Sequence, residues 1–81
     1  MFTMETKSKK SPEEIIKQAV KFFGPEGYQL EIKEQTDSWA VFEGGGGGIE
    51  VTACPEGKET SVELSSKEWD HQVKEFIGKL N

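Results

Sequence analysis

The apolar residues of this chain recur at a helical spacing, then at a strand spacing, then at a helical spacing again, and few folds satisfy that order. Ser11-Pro12-Glu13-Glu14 places a capping serine, a proline at the first helical position and a glutamate three residues after the cap. Ile15, Ile16, Ala19, Val20, Phe22 and Phe23 then share one broad arc. Glu13, Lys17 and Lys21 repeat every four residues on the opposite face, and Gly24-Pro25 stops the helix. Past Pro25-Glu26-Gly27 the period falls to two. Tyr28, Leu30 and Ile32 alternate with polar neighbours, as do Ile49, Val51 and Ala53, and then Thr60, Val62 and Leu64. Trp39 to Glu43 forms another short apolar run, followed by five glycines, Gly44 to Gly48. Ser65 with Glu68 reads as a second capping box, opening a helix whose stripe is Trp69, Val73, Phe76, Ile77 and Leu80.

Four short strands joined by hairpin-length connections predict an antiparallel meander. Each strand and each helix carries one apolar face, so both helices must cover one side of the sheet and leave the other polar and open. The expected fold is a two-layer α+β domain over residues 11–81. In it Trp39, Val41 and Trp69 point inward with Phe23 and Phe76. Phe2 to Lys7 alternates weakly, so residues 1–10 read either as a fifth, N-terminal strand or as a flexible arm.

Composition narrows the function classes. At 81 residues there is one small domain and no room for a separate cofactor domain. No apolar run approaches the ~20 residues of a membrane span and no signal-peptide core is present, so a cytoplasmic protein without membrane contact is expected. A single cysteine, Cys54, excludes an internal disulfide and a multi-cysteine zinc site. Fifteen acids against ten lysines give a net charge of −5 with no arginine, which argues against nucleic-acid binding. Lys7, Lys9 and Lys10 form the only basic cluster, read as a solvated stretch before the first helix.

The segment from Phe42-Glu43-Gly44 through Val51, with Glu68-Trp69-Asp70-His71-Gln72-Val73-Lys74-Glu75-Phe76, resembles small uncharacterised prokaryotic proteins. Those combine an FEGGGG-type hairpin with an EWDxQVxxF-type final helix. The resemblance spans most of the chain after Ser11 and implies no activity. If Phe2 to Lys7 is a strand, the element order is also similar to a shortened START or helix-grip domain, which implies a helix closed over a curved sheet around an apolar ligand.

Nucleophilic catalysis finds little support. Cys54 is the only thiol and His71 the only imidazole, and His71 falls opposite the apolar stripe of its helix, facing water and away from the sheet. His71 and Glu75 share a helix face, but two ligands do not make a metal site. No enzyme activity and no cofactor are expected. The glycine run has two readings: a backbone anion cradle, or a structural hairpin that is either loose and mobile or passes its backbone closely against a neighbouring helix. The cradle would combine Gly44, Gly45, Gly46, Gly47 and Gly48 with Ser65, Ser66 and Lys67 at the start of the last helix.

On the open face, a turn at Pro55 to Lys58 pairs Cys54 with Glu59, Thr52 with Ser61 and Glu50 with Glu63. Inside, Ile49 then meets Leu64 and Val51 meets Val62. Phe42 falls beside Glu50 on that open face, and Ala40 beside Thr52. An exposed phenylalanine next to an acidic pair suits a basic protein partner, or a dimer face. The leading functional reading is therefore a non-enzymatic interaction module using the open acidic face. The alternative is a small-ligand domain of helix-grip type, taking an apolar or anionic molecule near the glycine loop.

Overall fold

The computed structural model describes residues 2–80. Five strands, β1 (Phe2–Ser8), β2 (Glu31–Gln35), β3 (Trp39–Gly44), β4 (Gly47–Glu56) and β5 (Glu59–Lys67), form one antiparallel sheet. Their spatial order is β1-β5-β4-β3-β2. Two helices, α1 (Pro12–Phe23) and α2 (Asp70–Leu80), lie on one face. Helix α1 crosses β3 and β4, and α2 crosses β1 and β5. The fold is α+β, and of the two readings of the N-terminal segment the strand holds: Phe2 to Ser8 pair without interruption with Ser66 to Thr60.

Helix α1 forms as its capping residues dictate. The Glu14 N–H donates to Ser11 Oγ at 3.3 Å, Pro12 takes the first turn, and the Gly24 N–H closes on the Val20 carbonyl at 2.9 Å. Ile15, Ile16, Ala19 and Phe23 are buried against the sheet. The second capping box does not form. Strand β5 runs on through Ser65 and Ser66 to Lys67, Glu68 takes φ +70°, and α2 starts at Asp70. Ser65 and Ser66 lie between Thr3 and Phe2 of β1 and Glu50 and Ile49 of β4. Ladder bonds on both sides outweigh one side-chain cap. Ser66, 2% exposed, instead donates its hydroxyl to Asp70 Oδ1 at 2.7 Å.

The core is an aromatic stack between layers. The Phe23 ring lies 5.6 Å from Phe42 and 5.1 Å from Phe76, centroid to centroid, and all three side chains are fully buried. Val51, Val62, Leu64 and Val73 fill the space around them. These rings occupy the layer interface, where a helix-grip domain would hold its ligand.

Two expectations about the sheet are corrected. Phe42 and Ala40 face the core, while Trp39 and Val41 face outward. The glycine run makes a tight two-residue turn, Gly45-Gly46, with φ of +57° and +83° as a type I′ hairpin demands. That turn pairs Phe42 with Ile49; a loop one residue longer would have paired it with Glu50. Parity alone moves every β3 side chain to the other face. The second correction lies at the β4–β5 turn. Gly57, at φ +66°, and Lys58 form it, so Glu56 pairs with Glu59, Cys54 with Ser61 and Val51 with Leu64. Glu50 therefore sits opposite Ser65, not Glu63.

Candidate functional site: the open sheet face

With both helices on one side, the other face of the sheet is open, and its residues follow from the register. One row across the strands reads Thr3, Ser65, Glu50, Val41, Glu34; the next reads Glu5, Glu63, Thr52, Trp39. Lys7, Ser61 and Cys54 continue one end, and Lys67, Gly48, Glu43 and Glu31 the other. Trp39 lies half-exposed on this face, and its indole N–H donates to Glu50 Oε2 at 2.7 Å, one row along. Val41 is directly opposite Glu50.

The charge of the face is strongly one-sided. Among the described residues the ion pairs are Lys7 with Glu56, at 3.1 Å, and Lys33 with Glu31, at 3.3 Å. Among the described residues, Glu5, Glu34, Glu43, Glu50 and Glu63 thus have no cation within salt-bridge reach. The expected pair of Glu50 with Glu63 does not form; Glu63 stands directly opposite Glu5 of β1, and Glu43 opposite Glu31 and Glu56 opposite Glu59 are further like-charge pairs. The carboxylate of Glu56 holds the Lys7 ammonium above its ordinary pKa, by hydrogen bond first and charge second.

Gly48 has no side chain to raise above the central strand, so a trough forms over it. It encloses about 280 Å³ between Val41, Glu43, Glu50, Ser65 and Lys67. A neighbouring depression beside the glycine turn is lined by Glu31, Glu43, Lys33 and Lys67. The residues of the anion cradle are thus divided. Gly48, Ser65, Ser66 and Lys67 border the trough, with the Ser66 hydroxyl turned inward to Asp70, whereas Gly44, Gly46 and Gly47 line the neighbouring depression with Gly48 and Lys67. The helix N-terminus invoked for that cradle begins at Asp70, a carboxylate, and two glutamates line the glycine turn. The glycine segment is a close-packed hairpin, not a loose loop: the Trp69 indole N–H donates to the Gly44 carbonyl at 2.9 Å.

Glu50 and Glu63 lie on the open face as expected, in different rows. Phe42 does not, and Trp39, Val41, Glu43 and Glu5 belong in its place. The missed signal was Glu43: residues 39, 41 and 43 share a face, and a carboxylate there belongs in water. Cys54 is exposed on the open sheet face and His71 on α2 in the other layer. Among the described residues no group of three His, Cys, Asp or Glu side chains is placed to hold a metal ion. No helix of the described residues is long and apolar enough to cross a membrane. On the helical side, Tyr28 donates its hydroxyl to Glu75 Oε1 at 2.6 Å, and that bond raises the phenol pKa, with burial and the Glu75 charge adding to it.

Compared with protein-family models, curated proteins and solved structures, the chain matches none.

Proposed function

We propose that the protein is a small interaction module whose open sheet face docks a basic partner segment. The observation that carries this reading is the placement of Trp39 and Val41, two residues apart on β3, on a sheet face with five carboxylates that have no cation within salt-bridge reach among the described residues. Trp39 provides a broad, rigid apolar surface with an ordering cost of only two side-chain torsions. The surrounding glutamates attract lysine and arginine side chains over a distance set by ionic strength, which favours fast and selective encounter. A binding role is also supported by the separation of the only thiol and the only imidazole into different layers.

The reading is tested by titrating labelled protein with a short peptide of alternating lysine and leucine, and with its glutamate–leucine counterpart. Amide shifts at Trp39, Val41, Glu50 and Glu63 are expected with the lysine peptide alone. They should disappear in high salt and in the Trp39→Ser variant. Equal shifts at the helical acids Glu13 and Glu75 would mean general attraction to net charge and would remove the sheet face from consideration.

A further inference from the structure

The two edges of the sheet are built differently. Edge strand β2 is only five residues long, carries Glu31, Lys33 and Glu34, and has a bulge between Ile32 and Glu34. Short length, charge and a bulge are the usual means of keeping an edge from pairing. Edge strand β1 has none of that irregularity: its seven residues pair with β5 in one unbroken register. Its other backbone edge is unpaired, because β1 ends the strand order.

We infer that the free edge of β1 pairs antiparallel with β1 of a second copy, in a register centred on Thr6, so that two sheets join into one. The charge pattern selects that register. Glu5 faces Glu63 on its paired side, so a cation on its free side relieves the like-charge contact. Lys7, two residues along, is on the same open face. Centring the pair on Thr6 sets each Glu5 opposite the other copy's Lys7, twice over by symmetry. Thr6 then meets Thr6, a favourable cross-strand pair, and Met4 meets Ser8. Moving the centre to Glu5 places the glutamates against each other; moving it to Met4 gives Glu5 only Thr3. Because paired residues share a face, both copies keep their helices on one side. Lys7 exchanges Glu56 for the other copy's Glu5, and the Lys7–Glu56 pair it leaves is solvent-exposed at both ends and contributes little.

Five residue pairs make a small interface, so association should be weak, with dimer growing in between about 10 μM and about 1 mM protein at low salt. Sedimentation velocity and the NMR rotational correlation time over that range give the stoichiometry. Mixed labelled and unlabelled protein reports which strand protons approach across the interface. The decisive variants are charge exchanges. Glu5→Lys alone and Lys7→Glu alone each place like charges together twice and should weaken dimerisation roughly tenfold or more. The double exchange restores opposite charges and should return it to near the wild-type value. Glu5→Lys also removes the contact with like-charged Glu63, so loss of dimer in that variant does not come from loss of fold, and the monomer's thermal melt confirms this. Monomer throughout the range, single exchanges without effect, a double exchange that does not recover, or intermolecular contacts away from β1 would each overturn the inference.

Discussion

Alanine placed at successive glycines of the hairpin should have very unequal costs, and the inequality measures how closely β5 passes the turn. At Gly46 a methyl group would meet nothing within 4 Å, so the only penalty is the left-handed backbone at φ +83°. That strain is about 1–2 kcal/mol, and the stiffer unfolded chain returns about 0.4–1 kcal/mol of it. The expected net loss for Gly46→Ala is therefore about 0–1.6 kcal/mol, and asparagine, which tolerates this conformation, should cost less still. Gly47 is different. Its Cβ would land on the Lys67 carbonyl, with Glu68 Cβ 2.9 Å away. Backbone cannot rotate aside as a side chain can, so the end of β5 must separate from β4, where Gly48 pairs with Lys67. Overpacking of about 1–3 kcal/mol plus lost ladder contacts puts Gly47→Ala at roughly 3 kcal/mol. A domain of this size has about 4–12 kcal/mol in total, so this variant approaches the unfolding threshold. Urea unfolding followed by tryptophan fluorescence resolves the difference, provided the slope is unchanged between variants. If Gly47→Ala proves no more costly than Gly46→Ala, the close passage of β5 is wrong, and with it the structural account of the glycine run.

Three further outcomes follow from the same geometry. Phe42→Ala should lose about 3–5 kcal/mol because the ring is wholly buried against Phe23, whereas Val41→Ser on the open face should change stability little; the reverse order in denaturant midpoints would restore the opposite facing of β3. Glu63→Gln should raise the melting temperature by removing the contact with Glu5, a gain of a few tenths to ~1 kcal/mol that shrinks as salt is added; no gain at low salt would refute the pairing of those two residues. Tyr28 is the only tyrosine, so its ionisation is readable by ultraviolet absorbance, and it should titrate above 10.0 in the folded protein and nearer 10.0 in Glu75→Gln. A folded-state value above the unfolded one means the hydroxyl's contribution is complete below the unfolded pKa and is lost as pH rises through the folded pKa. A phenol titrating at its ordinary value would show that the bond to Glu75 does not persist in solution.

The candidate surface was half legible in advance. Alternation along β4 and β5 is enough to turn Glu50 and Glu63 outward, because Ile49, Val51, Val62 and Leu64 must be buried. What stands next to each glutamate depends on register, and register depends on a turn. Pro55-Glu56-Gly57-Lys58 admits more than one turn, and the choice of Gly57-Lys58 shifts the pairing by two residues, keeping the faces but exchanging every neighbour. The glycine run has the sharper consequence. Five identical residues do not mark where the chain reverses, and a change of one residue in loop length reverses the face of β3. Both faces of that strand carry apolar side chains, Trp39 and Val41 on one and Ala40 and Phe42 on the other, and within the strand only Glu43, in line with Trp39 and Val41, marks the outward face.

Local chemistry was sufficient for the parts that answer to local chemistry. The Ser11 cap, the helical arc of α1, the alternation of the strands and the requirement that both helices share one sheet face are all set by short-range spacing and by the need to bury apolar surface. The start of α2 was not, although Ser65 and Glu68 have the spacing of a cap, because β1 reaches β5 from the far end of the chain and supplies the second ladder that keeps Ser65 and Ser66 extended. A cap satisfies one or two donors; a strand paired on both sides satisfies every donor and acceptor along it. Segments whose backbone bonds close within a few residues were determined by the sequence read alone, while those whose bonds are shared with distant strands were decided only when the sheet was assembled.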